Sequence, residues 1–144
     1  YDYTLKTITH FLIPDFQSVE IKQQIRTIDF MPTILELLDI SLDEKFSSLD
    51  GISLVPLMRG EFMTEQFAFS ETGNPLHEKF PPKEPNVKSI RNSNWKLIFN
   101  EYDESSELYN LENDPDEKNN LIDRNEKMEN ILWIKLQPFM DTRD

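Results

Sequence analysis

The chain has 144 residues, about one domain's length, with hydrophobic residues at 38%, aromatics at 11% and ten Phe. Its 27 acidic against 15 basic residues leave a net charge of -12, a surface that repels phosphate backbones and anionic lipids and argues against nucleic-acid and membrane-surface partners. The absence of cysteine excludes disulfides, thiolate metal ligands and a cysteine nucleophile, and no apolar run approaches the roughly 18 residues of a membrane span.

A chain of this size buries about 68–70% of its unfolded surface, enough for a real core. The opening "YDYTLKTITHFLIPDF" has no initiator Met and no basic-then-apolar leader pattern, so the chain reads as a piece of something longer. Within residues 1–18 the short apolar run Phe11-Leu12-Ile13, stopped by Pro14, predicts a buried strand. "RTIDFMPTILELLDI" predicts a helix over 29–39, with Asp29 as N-cap, Pro32 in the first turn and an apolar stripe through Met31, Leu35 and Leu38. Asp50-Gly51 signals a turn, after which Ser53 caps a short helix over 53–59 that Gly60 stops.

A strand is expected over 66–70. The loop that follows, 71–86, is rich in proline and without periodicity. "VKSIRNSNWKLIFN" reads as a hairpin over 87–100 turning at Asn92-Ser93-Asn94, with Trp95, Leu97 and Phe99 alternating against Lys96 and Ile98. A further strand covers 106–111. A last helix is expected from Asp123, with Glu126 completing a capping box. Met128, Ile131, Leu132, the stem of Lys135 and Phe139 share one face, and Pro138 ends the helix. The fold class predicted is α+β: a small antiparallel β-sheet packed against a C-terminal helix.

The acidic stretch "ELYNLENDPDEKNNL", residues 107–121, could be a metal loop, a solvated turn or a signature. Counted from Asp114, a calcium loop needs Gly sixth and Glu twelfth, and the chain has Asn119 and Asn125 there. The local reading is a helical turn, with Asp114 as cap, Pro115 in the first position and Glu117 reaching back to the cap. That reading leaves unexplained why the turn follows an apolar "LYNL".

The residues Leu108-Tyr109-Asn110-Leu111, then Asp114-Pro115-Asp116-Glu117, then Asn120-Leu121, resemble the closing signature of the sulfatase family. Upstream, Asp29, Pro32 and Thr33 resemble that family's Asp-x-x-Pro-Thr helix. Asp50, Gly51, Ser53, Leu54, Pro56, Leu57 and Gly60 resemble its Asp-Gly-x-Ser-Leu-x-Pro-Leu-x-x-Gly segment. "IRNSNWKLI" is similar to its Arg-to-Lys-Leu-Ile strand pair. The departure is Asp39, where the family often has Gly.

The resemblance implies that residues 1–60 are the edge of the sulfatase α/β domain and 61–144 its C-terminal subdomain. It implies a missing N-terminal catalytic domain as partner, a sulfate-ester substrate, and a formylglycine with a divalent metal (calcium or magnesium) in the full-length enzyme. Nothing in this chain supplies those cofactors. Ser53 is followed by Pro56 and Arg59, one and two places too late for the family's nucleophile motif. No residue here is expected to be catalytic or to bind metal, and the chain alone is expected to be inactive. His77, with Glu71 and Asn74, is the candidate rim of the substrate cleft. The resemblance points to export as the localisation and leaves two rivals open: a phosphonate or phosphodiester hydrolase of the same superfamily, and a non-catalytic binding or scaffolding module. Exposed apolar surface, Trp133 and Ile134 included, is expected to drive self-association.

Overall fold

The computed structural model describes residues 1–14, 16–41, 49–73 and 87–141. The chain forms two compact units, one of Tyr1–Thr7 with Phe67–Asp144 and one of Ile8–Gln66. Residues 1–7 therefore belong with the C-terminal sheet and not with the segment that follows them in the chain.

The first unit opens with one helical turn, α1 (Asp2–Leu5), and is built on four strands, β1 (Ala68–Thr72), β2 (Val87–Arg91), β3 (Trp95–Asn100) and β4 (Ser105–Asn110). They pair antiparallel in chain order, β1-β2-β3-β4. The β2–β3 turn is set by Asn92, whose Oδ1 accepts the N–H groups of Asn94 (3.0 Å) and Trp95 (2.8 Å). In the β3–β4 turn Asn100 and Asp103 accept N–H bonds from Tyr102 and Ser105, and Glu104 takes the left-handed conformation.

The register brings Ile90, Leu97 and Leu108 into one row. They are fully buried against Leu132 and Leu136 of α4 (Glu126–Asp141). Each such side chain contributes about 1.5–3 kcal/mol on burial, so this row is the main store of stability. Phe99 meets Trp133 edge-on at 5.0 Å, and Phe69 stacks on Phe139 at 4.8 Å. Trp133 is thus half-buried within the chain, and Ile134 remains exposed.

Helix α4 starts later than the sequence pattern predicts. Asp123 sits at φ 60, so it cannot begin a right-handed helix; the Asn125 side chain caps the N–H of Met128, and Glu129, not Glu126, reaches back to the Asp123 N–H. Pro138 does not end the helix. The bond it removes would reach Ile134, on the solvent side, and Phe139 and Met140 hold the last turn against the sheet. Lys135 is exposed and its stem covers nothing in the core, which Leu136 fills instead.

The opposite face of the sheet carries Val87, Lys96, Ile98 and Tyr109, of which Ile98 and Tyr109 pack with Leu111 in a second, smaller cluster. α1 covers this face. A cavity of about 280 Å³, lined by Thr4, Leu5, Ser70, Ser89, Lys96 and Ile98 among others, lies between them.

In the unit of residues 8–66 a 3-10 turn, Thr27–Asp29, runs into α2 (Phe30–Leu37), and α3 (Val55–Met58) follows. Pro32 falls in the first turn of α2, where its missing N–H has no partner to lose. Both helices end the same way. At α2, Asp39 donates to Glu36 O and Ile40 to Leu35 O; at α3, Gly60 donates to Leu57 O and Glu61 to Pro56 O. The residue after the cap is left-handed in each, at φ 53 for Asp39 and φ 79 for Gly60. An L-residue is strained in that conformation, less so for Asp than for most. Asp39→Gly is therefore expected to stabilise the chain by about 0.5–1 kcal/mol, read as a higher urea midpoint with an unchanged slope.

The strand expected at Phe11-Leu12-Ile13 is not formed. Residues 8–13 have no regular structure and Leu12 is 94% exposed, while Phe11 and Ile13 are half-buried, Phe11 edge-on to Phe30 at 5.7 Å.

Candidate functional site

Two polar constellations gather nearly all the motif residues, and each joins segments distant in the chain. The first lies in the 8–66 unit and is built around Asp29, 2% exposed. Its carboxylate does not cap α2 as the sequence predicts, because Asp29 is itself in helical conformation at the end of the 3-10 turn. Oδ2 accepts the Arg26 backbone N–H (3.0 Å) and Nε (3.1 Å), while Oδ1 accepts Arg26 Nη2 (2.7 Å) and the backbone N–H of Ile52 (3.0 Å). One turn on, the Thr33 hydroxyl donates to Asp29 O (2.5 Å) and accepts the Leu54 N–H (2.9 Å).

The Asp-x-x-Pro-Thr helix thus receives two backbone N–H groups from the segment after Asp50-Gly51. Gly51 makes the approach feasible, since a Cβ there would lie 2.0 Å from the Ile28 carbonyl oxygen. Asp50 carries the turn, and Ser53 is not the cap the sequence predicts: α3 starts two residues later with Leu54 at its N-cap, and the Ser53 hydroxyl accepts the Val55 N–H at 3.3 Å from one place outside it.

The second constellation explains the acidic stretch. Asp114 organises a turn, its two carboxylate oxygens accepting the N–H groups of Lys118 (3.1 Å) and Asn119 (2.8 Å). Those bonds hold the Asp114 carboxyl below its usual value. Residues 112–119 form turns and not a helix, Pro115 among them. Glu117 does not reach back to Asp114. At φ 53 it directs a carboxylate into the sheet, with the side chain 2% exposed, and ion-pairs through Oε1 with Lys96 Nζ at 2.7 Å.

Lys96 is fully buried, and its Nζ also donates to Asp2 Oδ1 at 3.1 Å. Asp2 binds Arg91 through its other oxygen, and its backbone N–H donates to Glu117 Oε2 at 2.6 Å. On the same face Glu107 accepts the hydroxyls of Tyr109 (2.6 Å) and Tyr1 (3.0 Å). Burial and the Glu107 charge together push the Tyr109 hydroxyl far above its usual range, fixing it as a donor. Asn120 and Leu121 close the signature along β4: Leu121 donates to Leu108 O (2.7 Å), and Asn120 Oδ1 accepts the Leu108 and Ile122 N–H groups (both 2.9 Å).

Burial would raise the carboxyls of Asp2 and Asp29, but each is held below the ordinary 3.8, Asp2 by Lys96 and Arg91, Asp29 by Arg26 and the Ile52 N–H. A carboxyl depressed in the folded state stabilises above its unfolded value and loses that contribution as pH falls through the folded one. The urea midpoint is therefore expected to hold down to about pH 4 and then to fall, with Asp29→Asn flattening the decline.

Each of these carboxylates is engaged by backbone N–H groups, hydroxyls or cations of the chain itself. Among the described residues no group of three or more His, Asp or Glu side chains is placed to hold a metal ion. Of the expected cleft rim, Glu71 is exposed on β1, opposite Lys88 in the register, and Asn74 and His77 lie outside the described residues. Sequence reasoning missed Lys96, Asp2, Arg91 and Glu107. The signal available was Lys96 itself, a charge in alternation with buried residues on a central strand.

Residues 13–141 match the family model described as N-sulphoglucosamine sulphohydrolase, C-terminal. The chain is 30% identical over 125 residues to a sulfatase of Formosa agariphila, a match covering 83% of this chain and 23% of the relative. It is 33% identical over 100 residues to a choline-sulfatase of Rhizobium meliloti, covering 67% of this chain and 17% of that protein. It therefore spans less than a quarter of the length of either. Among solved structures, one in complex with its substrate D-glucosamine-2-N,6-O-disulfate superposes with a TM-score of 0.59 at 21% identity, over 80% of this chain and 24% of that one. A phosphonate monoester hydrolase from Silicibacter pomeroyi superposes at 0.54 and 23% identity, over 78% and 24%. Likeness at that identity speaks for the fold.

Proposed function

Because the chain belongs to the N-sulphoglucosamine sulphohydrolase C-terminal family of sulfatases, we propose that it completes an enzyme that hydrolyses sulfuric esters, and that its own part in that enzyme is structural. The observation that carries this reading is the fate of the motif residues. Asp29, Thr33, Gly51, Asp114, Glu117 and Asn120 are all spent on holding backbone or on a buried ion pair. That bonding supports a structural part for them.

In this reading most of the 1–60 stretch is the edge of a larger α/β domain and 61–144 its C-terminal subdomain. The exposed apolar side chains Ile28 of the 3-10 turn, Met31 and Ile34 of α2 and Leu38 at its C-cap are what such a domain would cover; in the chain by itself they would favour self-association. The formylglycine and the calcium or magnesium ion that the family implies belong to the upstream part. The residues present here do not fit them, with no cysteine in the chain and no carboxylate cluster among the described residues.

The phosphonate monoester hydrolase neighbour keeps a second reading in play, in which the same fold completes a phosphonate or phosphodiester hydrolase. The test is an assay of the full-length protein against an aryl sulfate, an aryl phosphonate and an aryl phosphodiester, with this chain alone as a control. Sulfate release by the full-length protein and none by the chain is expected. Phosphonate or phosphodiester turnover without sulfate release would favour the second reading, and metal-dependent turnover by the chain alone would overturn its structural role.

A further inference from the structure

The ion pairs on the covered face of the sheet join residues far apart in the chain. Lys96 and Arg91 bring two positive charges, and Glu117 brings one negative charge. The second negative charge is Asp2, which touches both cations and donates its own N–H to Glu117. These contacts span 89 to 115 residues of sequence. Lys96 has no exposure at all, and a buried charge is tolerated only when paired and hydrogen-bonded. Around this core the Tyr1 hydroxyl binds Glu107, and its ring meets Tyr109 edge-on at 6.3 Å.

We infer that this face of the sheet is a receptor for a short segment that presents one carboxylate, and that residues 1–7 are a latch whose Asp2 carboxylate neutralises the buried Lys96–Glu117–Arg91 cluster. The receptor specifies the chemistry of what it holds. It takes a carboxylate between two cations, an amide N–H facing Glu117, and an aromatic hydroxyl one residue earlier for Glu107. Lys96 and Glu117 are positioning residues in this scheme. They fix where the chain enters the sheet unit before it departs through 8–66 and returns at Phe67. The inference does not depend on what the parent enzyme hydrolyses.

Charge arithmetic makes the test one of sign. In the N-terminally acetylated chain, where no α-ammonium adds charge, Asp2→Asn leaves the cluster one positive charge in excess. It is expected to lower the folding equilibrium constant about tenfold to a hundredfold. It should also speed amide exchange of residues 1–7 and of β3 by a similar factor. In a Lys96→Met background the cluster already carries one negative charge in excess. There the same Asp2→Asn change restores neutrality and is expected to leave the constant unchanged or to raise it. Arg91→Gln gives the same arithmetic at a less buried position and replaces Lys96→Met if that variant does not fold. Equal losses from Asp2→Asn in all backgrounds, or no loss in the parent chain, would overturn the latch.

Discussion

Glu117→Ala is expected to destabilise the chain by about 3–5 kcal/mol, among the largest effects of any single substitution here. The reason is what remains behind. Lys96 keeps its burial but loses the carboxylate 2.7 Å from its Nζ, and the N–H of Asp2 loses its acceptor. A capping role for Glu117, the reading its place after Asp114-Pro115 invites, predicts a loss of about 1 kcal/mol. Urea denaturation of the variant separates the two, and Lys96→Met added to Glu117→Ala should recover part of the loss, because it removes the stranded cation. A loss near 1 kcal/mol with no recovery would return Glu117 to the capping role.

Gly51→Ala is expected to cost about 3 kcal/mol or more, through a different route. The added methyl would stand 2.0 Å from the Ile28 carbonyl oxygen and 3.0 Å from the Asp29 nitrogen, both backbone atoms that cannot swing aside. Relief requires the 50–54 segment to withdraw, which breaks the bonds from Ile52 N–H to Asp29 and from Leu54 N–H to Thr33. Each buried group left unsatisfied costs about 1–3 kcal/mol, added to the overpacking itself. Thr33→Val, which removes only the hydroxyl and keeps the volume, should cost less than half as much. Thermal or urea unfolding of the two variants orders them, and a Gly51→Ala chain as stable as the parent would show that the segments do not dock as described.

The sheet, its hairpin turn and its partner helix are legible in the sequence because each is encoded locally: Asn92 turns the β2–β3 hairpin, alternation marks β3, and apolar spacing marks α4. What is not legible depends on contacts across the chain. Asp29 and Glu117 each stand where a cap belongs, and local rules assign both to caps. The structure uses both carboxylates for partners 23 residues away and more, Ile52 for one and Asp2 for the other. Nothing local singles out Asp2 in the opening stretch, and only the fold sets it against Lys96 and Arg91. The resemblance was carried by the residues most committed to such contacts, so they could be recognised before their task could be named.

The return of Asn120 and Leu121 along β4 has a consequence for solubility. β4 is the last strand of the sheet, and its outer side offers the Leu108 N–H and C=O to any passing chain. In the folded protein those two groups are taken by Asn120 Oδ1 and the Leu121 N–H, and Asn120 Nδ2 reaches Ser106 O as well. An open strand flank of alternating apolar residues is a template on which a second chain can stack, and then a third. The polar turn that begins at Asp114 thus also closes this flank to fibre growth, and losing it is expected to open the flank to a second chain.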